Sequence, residues 1–92
     1  MAQALFDWDD ANRTHIARHR VTPAEAEQVI HNNPIDLTVQ GCDGEDRILQ
    51  VGATDKGRVL LVVTTWRNDK IRVVTAHPAP KKLRLLYIQN NG

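Results

Sequence analysis

Residues 58–77 read RVLLVVTTWRNDKIRVVTAH, two apolar runs joined by a polar turn and ending in a row of polar groups. Leu60 to Val63 and the pair Val73-Val74 suit a buried pleated surface, and Arg67-Asn68-Asp69-Lys70 supplies the turn formers between them. The stretch therefore predicts an antiparallel hairpin at the centre of the fold. Arg72 and His77 are polar residues in or at the end of an apolar strand, and each needs a partner or a purpose.

Working outward, Ile35, Leu37 and Val39 alternate with Asp36, Thr38 and Gln40 as a half-buried strand does. Gly41-Cys42-Asp43-Gly44 is the turn that follows, Arg47 to Gly52 a second strand, and Thr54 to Gly57 a second turn. Gly52 and Gly57 both read as turn glycines. With no helix-length connection among the four strands, a parallel arrangement is excluded and an antiparallel meander predicted. Upstream, Leu5 to Trp8 is extended, and Asp9-Asp10 offers an N-cap for a helix over about Asp10 to His19, with His15 and His19 one turn apart. Val21-Thr22-Pro23-Ala24-Glu25 marks a second helix: a threonine cap, a proline in the first turn and a glutamate closing a capping box. Ala26, Val29 and Ile30 face its core side, and Asn32-Asn33-Pro34 stops it. After the bend at Pro78 and Pro80, Lys81 to Ile88 forms a short helix whose apolar residues spread beyond one stripe, so part of that surface needs another protein. The expected fold class is α+β: two N-terminal helices, a meander sheet of about four strands and a short C-terminal helix, all within one domain over residues 1–92.

Ninety-two residues with 41% hydrophobic content allow one small domain of marginal core, which a partner subunit helps to complete. The single cysteine, Cys42, excludes an internal disulfide, and no run of signal-peptide or membrane-spanning length is present, so a cytoplasmic protein is expected. The net charge of +1 conceals an asymmetry: residues 1–46 carry three arginines against nine acids, and residues 47–92 nine bases against two acids. Either the halves attract each other within the fold, or a basic face meets nucleic acid or an acidic partner.

No hydrolase elbow, phosphate loop or dinucleotide fingerprint occurs. A nuclease needs no metal if it removes a 2′-hydroxyl proton, offsets the charge growing on phosphorus and protonates the leaving oxygen. His15, His19, Arg58, Arg72, His77, Lys81, Arg84 and Tyr87 are the residues able to do so, arginine because its planar fork gives a phosphate two charge-assisted hydrogen bonds. Each has a plainer reading. His15 and His19 at this spacing are half a zinc site, but no second ligand pair accompanies them, and packing or solvation accounts for either ring. Arg72 fits a structural ion pair with an acid of the N-terminal half. Tyr87 fits a core or interface position, and Trp8 and Trp66 are expected as packing anchors rather than base-stacking platforms.

The ordered run Phe6-Asp7-Trp8-Asp9, Asn12, His15-Ile16-Ala17, His19, Val21-Thr22-Pro23 and Glu25 is followed by Gly52, Gly57-Arg58, Leu60, Ile71-Arg72-Val73-Val74, Ala76, Pro78-Ala79, Arg84 and Tyr87. Together these resemble the BrnT family of toxins. The resemblance implies a compact fold similar to the RelE-type ribonuclease toxins and cleavage of RNA without metal or other cofactor. It also implies a cognate, BrnA-like antitoxin whose DNA-binding part represses the shared operon, so that operator DNA is reached only indirectly. On this reading Arg72, His77, Arg84 and Tyr87 surround the phosphate, His15 or His19 contributes from the first helix, and Arg58, Lys81 and Lys82 bind the RNA backbone. Three positions depart from the family pattern: Arg20 stands for a glycine, His77 for an arginine and Leu83 for a glutamate. A histidine there replaces a fixed cation by a group able to act as acid or base. The rival reading is a catalytically silent module that uses the last helix for hetero-oligomer or homodimer contacts. Direct DNA binding is disfavoured, because no segment reads as a ribbon-helix-helix or helix-turn-helix.

Overall fold

In a computed structural model, which describes residues 5–42 and 44–91, the hairpin of the opening stretch forms as β3 (Val59–Arg67) and β4 (Lys70–Pro78). Asn68 and Asp69 join them, both in the left-handed region at φ 53° and 63°, the two-residue loop whose twist matches that of paired strands. β1 (Ile35–Cys42) and β2 (Glu45–Ala53) complete an antiparallel sheet in the order β1-β2-β3-β4. β1 and β2 both reach further into their connection than expected, since Gly41 and Cys42 pair with Asp46 and Glu45. Asp43, expected in that turn, lies outside the described residues. Two helices precede the sheet, α1 (Asp10–Ala17) and α2 (Pro23–His31), and α3 (Lys81–Asn91) follows it.

Both N-terminal capping boxes form as their sequences dictate. The Asp9 carboxylate accepts from the Asn12 N–H while the Asn12 side chain accepts from the Asp9 N–H, and Thr22 and Glu25 do the same for α2. α1 is shorter than expected. Its end is closed by bonds from the Arg20 N–H to the Ala17 carbonyl and from the Val21 N–H to the Ile16 carbonyl, with Arg20 at φ 59°. That is the left-handed helix stop glycine usually occupies, which explains why an arginine there departs from the pattern.

The core gathers Ile16, Val21, Ala26, Val29, Leu60, Val62, Val73 and Ala76, with Phe6, Trp8 and Ile30 packed against it. Val73 and Ala76, three residues apart, share one face because a β-bulge leaves Val74 unpaired between the pairs Val63 with Thr75 and Thr64 with Val73. Val51 and Leu61, a cross-strand pair, are buried on the other face, where α3 meets β2 and β3. Ahead of α1, the Leu5–Asp7 segment runs parallel to β4, with the Asp7 N–H donating to the Ile71 carbonyl and the Ile71 N–H to that of Leu5.

Three expectations are corrected. Gly52 is no turn glycine but a buried residue of β2, where α2 ends against the sheet: an added Cβ would stand 3.1 Å from Pro34 Cβ and Val29 Cγ1. Gly57, at φ 83°, is the turn glycine. Trp8 is an anchor, half-buried with its Nε1–H donated to Glu27 Oε2 at 2.8 Å, whereas Trp66 is 62% exposed. Val39, expected to face inward, is 60% exposed, because a second bulge shifts the register of β1 between Asp36 and Thr38.

Replacing Arg20 by glycine removes the left-handed strain and is expected to stabilise the fold by about 1 kcal/mol, read as a higher denaturant midpoint. Gly52→Val, pressed against the Pro34 ring, is expected to destabilise by about 1–3 kcal/mol in the same assay.

Candidate nucleic-acid interface

The site is built where α1 lies along β4. Asn12, 3% exposed, donates its side-chain N–H groups to the carbonyls of Asp7 at 2.9 Å and Val73 at 3.1 Å, so the residue that closes the cap of α1 also fastens the helix to the strand. This brings Asp7 and Asp9 onto Arg72, which the bulge at Val74 turns away from the core. The Arg72 Nη2–H donates to Asp9 Oδ1 at 3.1 Å, and Nη1 lies 3.0 Å from Asp9 Oδ2 and 3.5 Å from Asp7 Oδ2. Among the described residues no acceptor is well aligned with Nη1, so charge attraction rather than a directed bond holds it. The side chain is only 12% exposed. The hydrogen bond to Asp9 holds the guanidinium even more firmly protonated than usual, and the same bond, aided by the Asn12 N–H, holds the Asp9 carboxyl below its ordinary range. The structural ion pair foreseen for Arg72 thus exists.

Beside this pair opens a cleft of about 470 Å³, lined among others by His15, Arg72, Arg47, Arg67 and Glu45. Glu45 sits 3.5 Å from Arg47 Nε and 4.0 Å from Arg67 Nη2, so one carboxylate is shared by two guanidiniums. Arg47 Nε is buried without a well-directed acceptor among the described residues. Clustered N–H donors of planar guanidiniums with few acceptors are the arrangement that an oxyanion such as phosphate fills.

From the cleft a row of imidazoles runs along the end of α1. His15 and His19 meet edge to face at 5.8 Å between ring centroids, and His19 meets His77 at 5.6 Å. His77 Nδ1 lies 2.9 Å from the Pro78 carbonyl, which can only accept, so Nδ1 carries the proton and the neutral ring presents Nε2 as a base. Among the described residues no three His, Cys, Asp or Glu side chains group as metal ligands.

The structure thus brings Arg72, His15, His19 and His77 along one edge. The remaining candidates lie elsewhere. Arg58 Nη1 donates to the Arg20 carbonyl at 2.6 Å and to both Glu25 oxygens at 3.1 Å, bracing the turn between α1 and α2. Glu25 is held below the usual carboxylate range: partial burial acts against this, but the Thr22 N–H and Arg58 outweigh it. Lys81, Lys82 and Arg84 are exposed on the opening turn of α3 and Tyr87 is half-buried further along; none of the four lines the cleft. Arg47, Arg67 and Glu45 escaped the reading of the sequence, where they look like ordinary charges at strand ends. Asn12 carried a usable signal, standing three residues after the cap Asp9 as capping boxes require.

Because the Asp9 and Glu25 carboxyls are depressed, the folded chain binds fewer protons than the unfolded chain in the acid range. The stability they add is complete above the ordinary carboxylate range and is lost as pH falls through their folded values. Asp9→Asn is therefore expected to lower the denaturant midpoint at pH 7, with the gap from the parent chain closing as pH drops below about 4.

No helix among the described residues is long and apolar enough to cross a membrane. Compared with known proteins, the chain finds no match among curated relatives. Its residues 8–82 match the family described as ribonuclease toxin, BrnT, of type II toxin-antitoxin system. That span runs from the Trp8 anchor through α1, the whole sheet and the histidine row to the first residues of α3. The match covers most of the length, and the chain belongs to the BrnT family of ribonuclease toxins.

Proposed function

We propose that the protein is an endoribonuclease that cuts messenger RNA without a metal ion. The observation that carries this reading is the histidine row lying beside a cleft of three arginines. A 2′-hydroxyl oxygen attacks the adjoining phosphorus, the bond to the 5′-oxygen breaks, and the products are a 2′,3′-cyclic phosphate and a free 5′-hydroxyl. His77 Nε2 takes the 2′-hydroxyl proton, and His15, at the other end of the row, gives one to the leaving 5′-oxygen. His19 stands between them and holds both rings in place. Arg72, Arg47 and Arg67 offset the charge on phosphorus, a guanidinium having five donors and the aspartates occupying only part of those on Arg72. Lys81, Lys82 and Arg84 hold the neighbouring backbone phosphates. Arg58 acts through the turn it braces, and Tyr87 secures α3.

A toxin of this family implies an antitoxin partner. Leu85, Leu86 and Ile88 are exposed on α3 among bases and no acids, and we assign this surface to a cognate antitoxin with acidic and apolar side chains, which keeps the toxin inactive. Operator DNA is then bound through the antitoxin alone. Pairing of two toxin copies through α3 competes for the same surface.

A second reading is favoured by the pairing of Arg72 with Asp7 and Asp9: a silent module in which that arginine is purely structural. Purified protein incubated with RNA in excess chelator separates the two. Cleavage with cyclic-phosphate ends is expected, reduced about 100-fold or more by His77→Ala or His15→Ala and less by His19→Ala. Intact RNA, together with normal growth of bacteria expressing the chain without its antitoxin, would establish the silent module instead.

A further inference from the structure

Trp66 is the penultimate residue of β3, one before the tight turn's closing pair Arg67 and Lys70, and it pairs with Ile71, so a rigid hairpin holds it. Its 62% exposure and the 60% exposure of Val39 flank a second groove of about 440 Å³, which Ile48 and Asp46 also line. Glu45 lines both this groove and the arginine cleft, and Arg67, the next residue after Trp66, lines the cleft. The two hollows therefore adjoin, one rich in guanidinium donors and the other offering an aromatic face with a carboxylate beside it.

We propose that this groove is a nucleobase subsite, in which a base next to the bound phosphate stacks on the Trp66 indole and donates its exocyclic amine to Asp46. The inference rests on the RNA-cleaving reading and adds to it a residue that sets which bases are accepted. The division of charge assigns the parts of a nucleotide. A phosphate is repelled by Asp46 and drawn to Arg47, Arg67 and Arg72, while a base is neutral, flat and apolar on its faces. Glu45 is already engaged by Arg47 and Arg67, which leaves Asp46 as the acceptor. A carboxylate only accepts hydrogen bonds, so adenine, cytosine and guanine, which present an exocyclic amine at the edge of the base, are preferred over uracil, whose only base donor is the N3–H flanked by two carbonyls. Because the hairpin already holds the indole, stacking costs little ordering. A protein partner fits this groove less well, since its walls continue into the arginine cleft, and the exposed apolar helix α3 lies apart from both hollows.

The test uses the 92-residue chain and short 2′-O-methyl RNA oligonucleotides, which lack the attacking hydroxyl and stay uncut. Binding is followed by anisotropy of a labelled oligonucleotide and by tryptophan emission. Oligoadenylate is expected to quench the exposed tryptophan, with Trp66→Phe binding but losing most of the quench and Trp66→Ala binding about tenfold or more weakly. Adenine-containing oligonucleotides should bind more tightly than uracil-containing ones, with Asp46→Asn narrowing the difference. Unchanged quenching in Trp66→Phe, or full affinity in Trp66→Ala, overturns the subsite while leaving RNA cleavage standing. So does a Trp66→Ala toxin that binds and cuts RNA normally but no longer holds its antitoxin, which would make the groove a protein interface. No oligonucleotide binding by the parent chain, with no cleavage of RNA, overturns the subsite and the ribonuclease reading together.

Discussion

The arrangement of the candidate site depends on one buried amide. The Asn12 side chain accepts the Asp9 N–H, the Asn12 backbone N–H is capped by the Asp9 carboxylate in return, and both side-chain donors go to carbonyls, one in the N-terminal segment and one in β4. An amide is the one neutral side chain of this size with an acceptor and two donors, and here all are used. A short helix such as α1 has little intrinsic stability, so its direction is set by this fastening and by Ile16 in the core. That direction lays the helix along β4 with the Arg72 pair at one end and the His19–His77 contact at the other.

The same fastening creates a tension at Arg72. Asp7 and Asp9 are carried to it by the parallel segment and the cap, and they hold the guanidinium in a site almost closed to water. A lone cation at that exposure is costly, and the carboxylates offset the cost. They also weaken its field at the cleft. Arg47 and Arg67 share a single carboxylate, so for an anion they are the less encumbered cations of the three. An anion entering the cleft would therefore meet, besides the Arg72 singled out in the sequence, the two arginines Arg47 and Arg67.

What the sequence disclosed were features with short-range causes. The capping boxes at Asp9 and Thr22, the turn at Asn68-Asp69 and the meander order follow from residues within a few positions of one another. What it hid depends on register and on distant neighbours. The bulge at Val74 decides that Val73 and Ala76 share a face and that Arg72 leaves it, yet nothing in VVTA announces an extra residue. Gly52 looks like a turn glycine until α2 and Pro34 arrive against it. Trp66 looks like core until the strand ends beneath it, and Arg47 joins Arg67 only because β2 pairs with β3. The departure at Arg20 was visible as a residue, but its meaning, a left-handed stop to α1, appeared only with its φ angle.

His77, where the resemblance led to the expectation of an arginine, gains a different meaning from its surroundings. As an isolated exchange it removes a fixed cation from the end of β4. Placed against His19, and through it in line with His15, it instead completes a row whose terminal rings are separated by a third. In-line attack requires the base and the acid to stand on opposite sides of the phosphorus, with the phosphate between them. Two rings in edge contact leave no space for that, which argues against His19 and His77, or His15 and His19, serving as the pair. Of the three pairings of these rings only His15 with His77 is without such an edge contact, and in the neutral His77 ring the bond from Nδ1 to the Pro78 carbonyl leaves Nε2 as the nitrogen without a proton. Lys81, Lys82 and Arg84 follow His77 closely in the chain but stand exposed on α3, outside the cleft. On the proposed reading, charge compensation falls to the arginines of the cleft and the end of β4 is left to proton transfer.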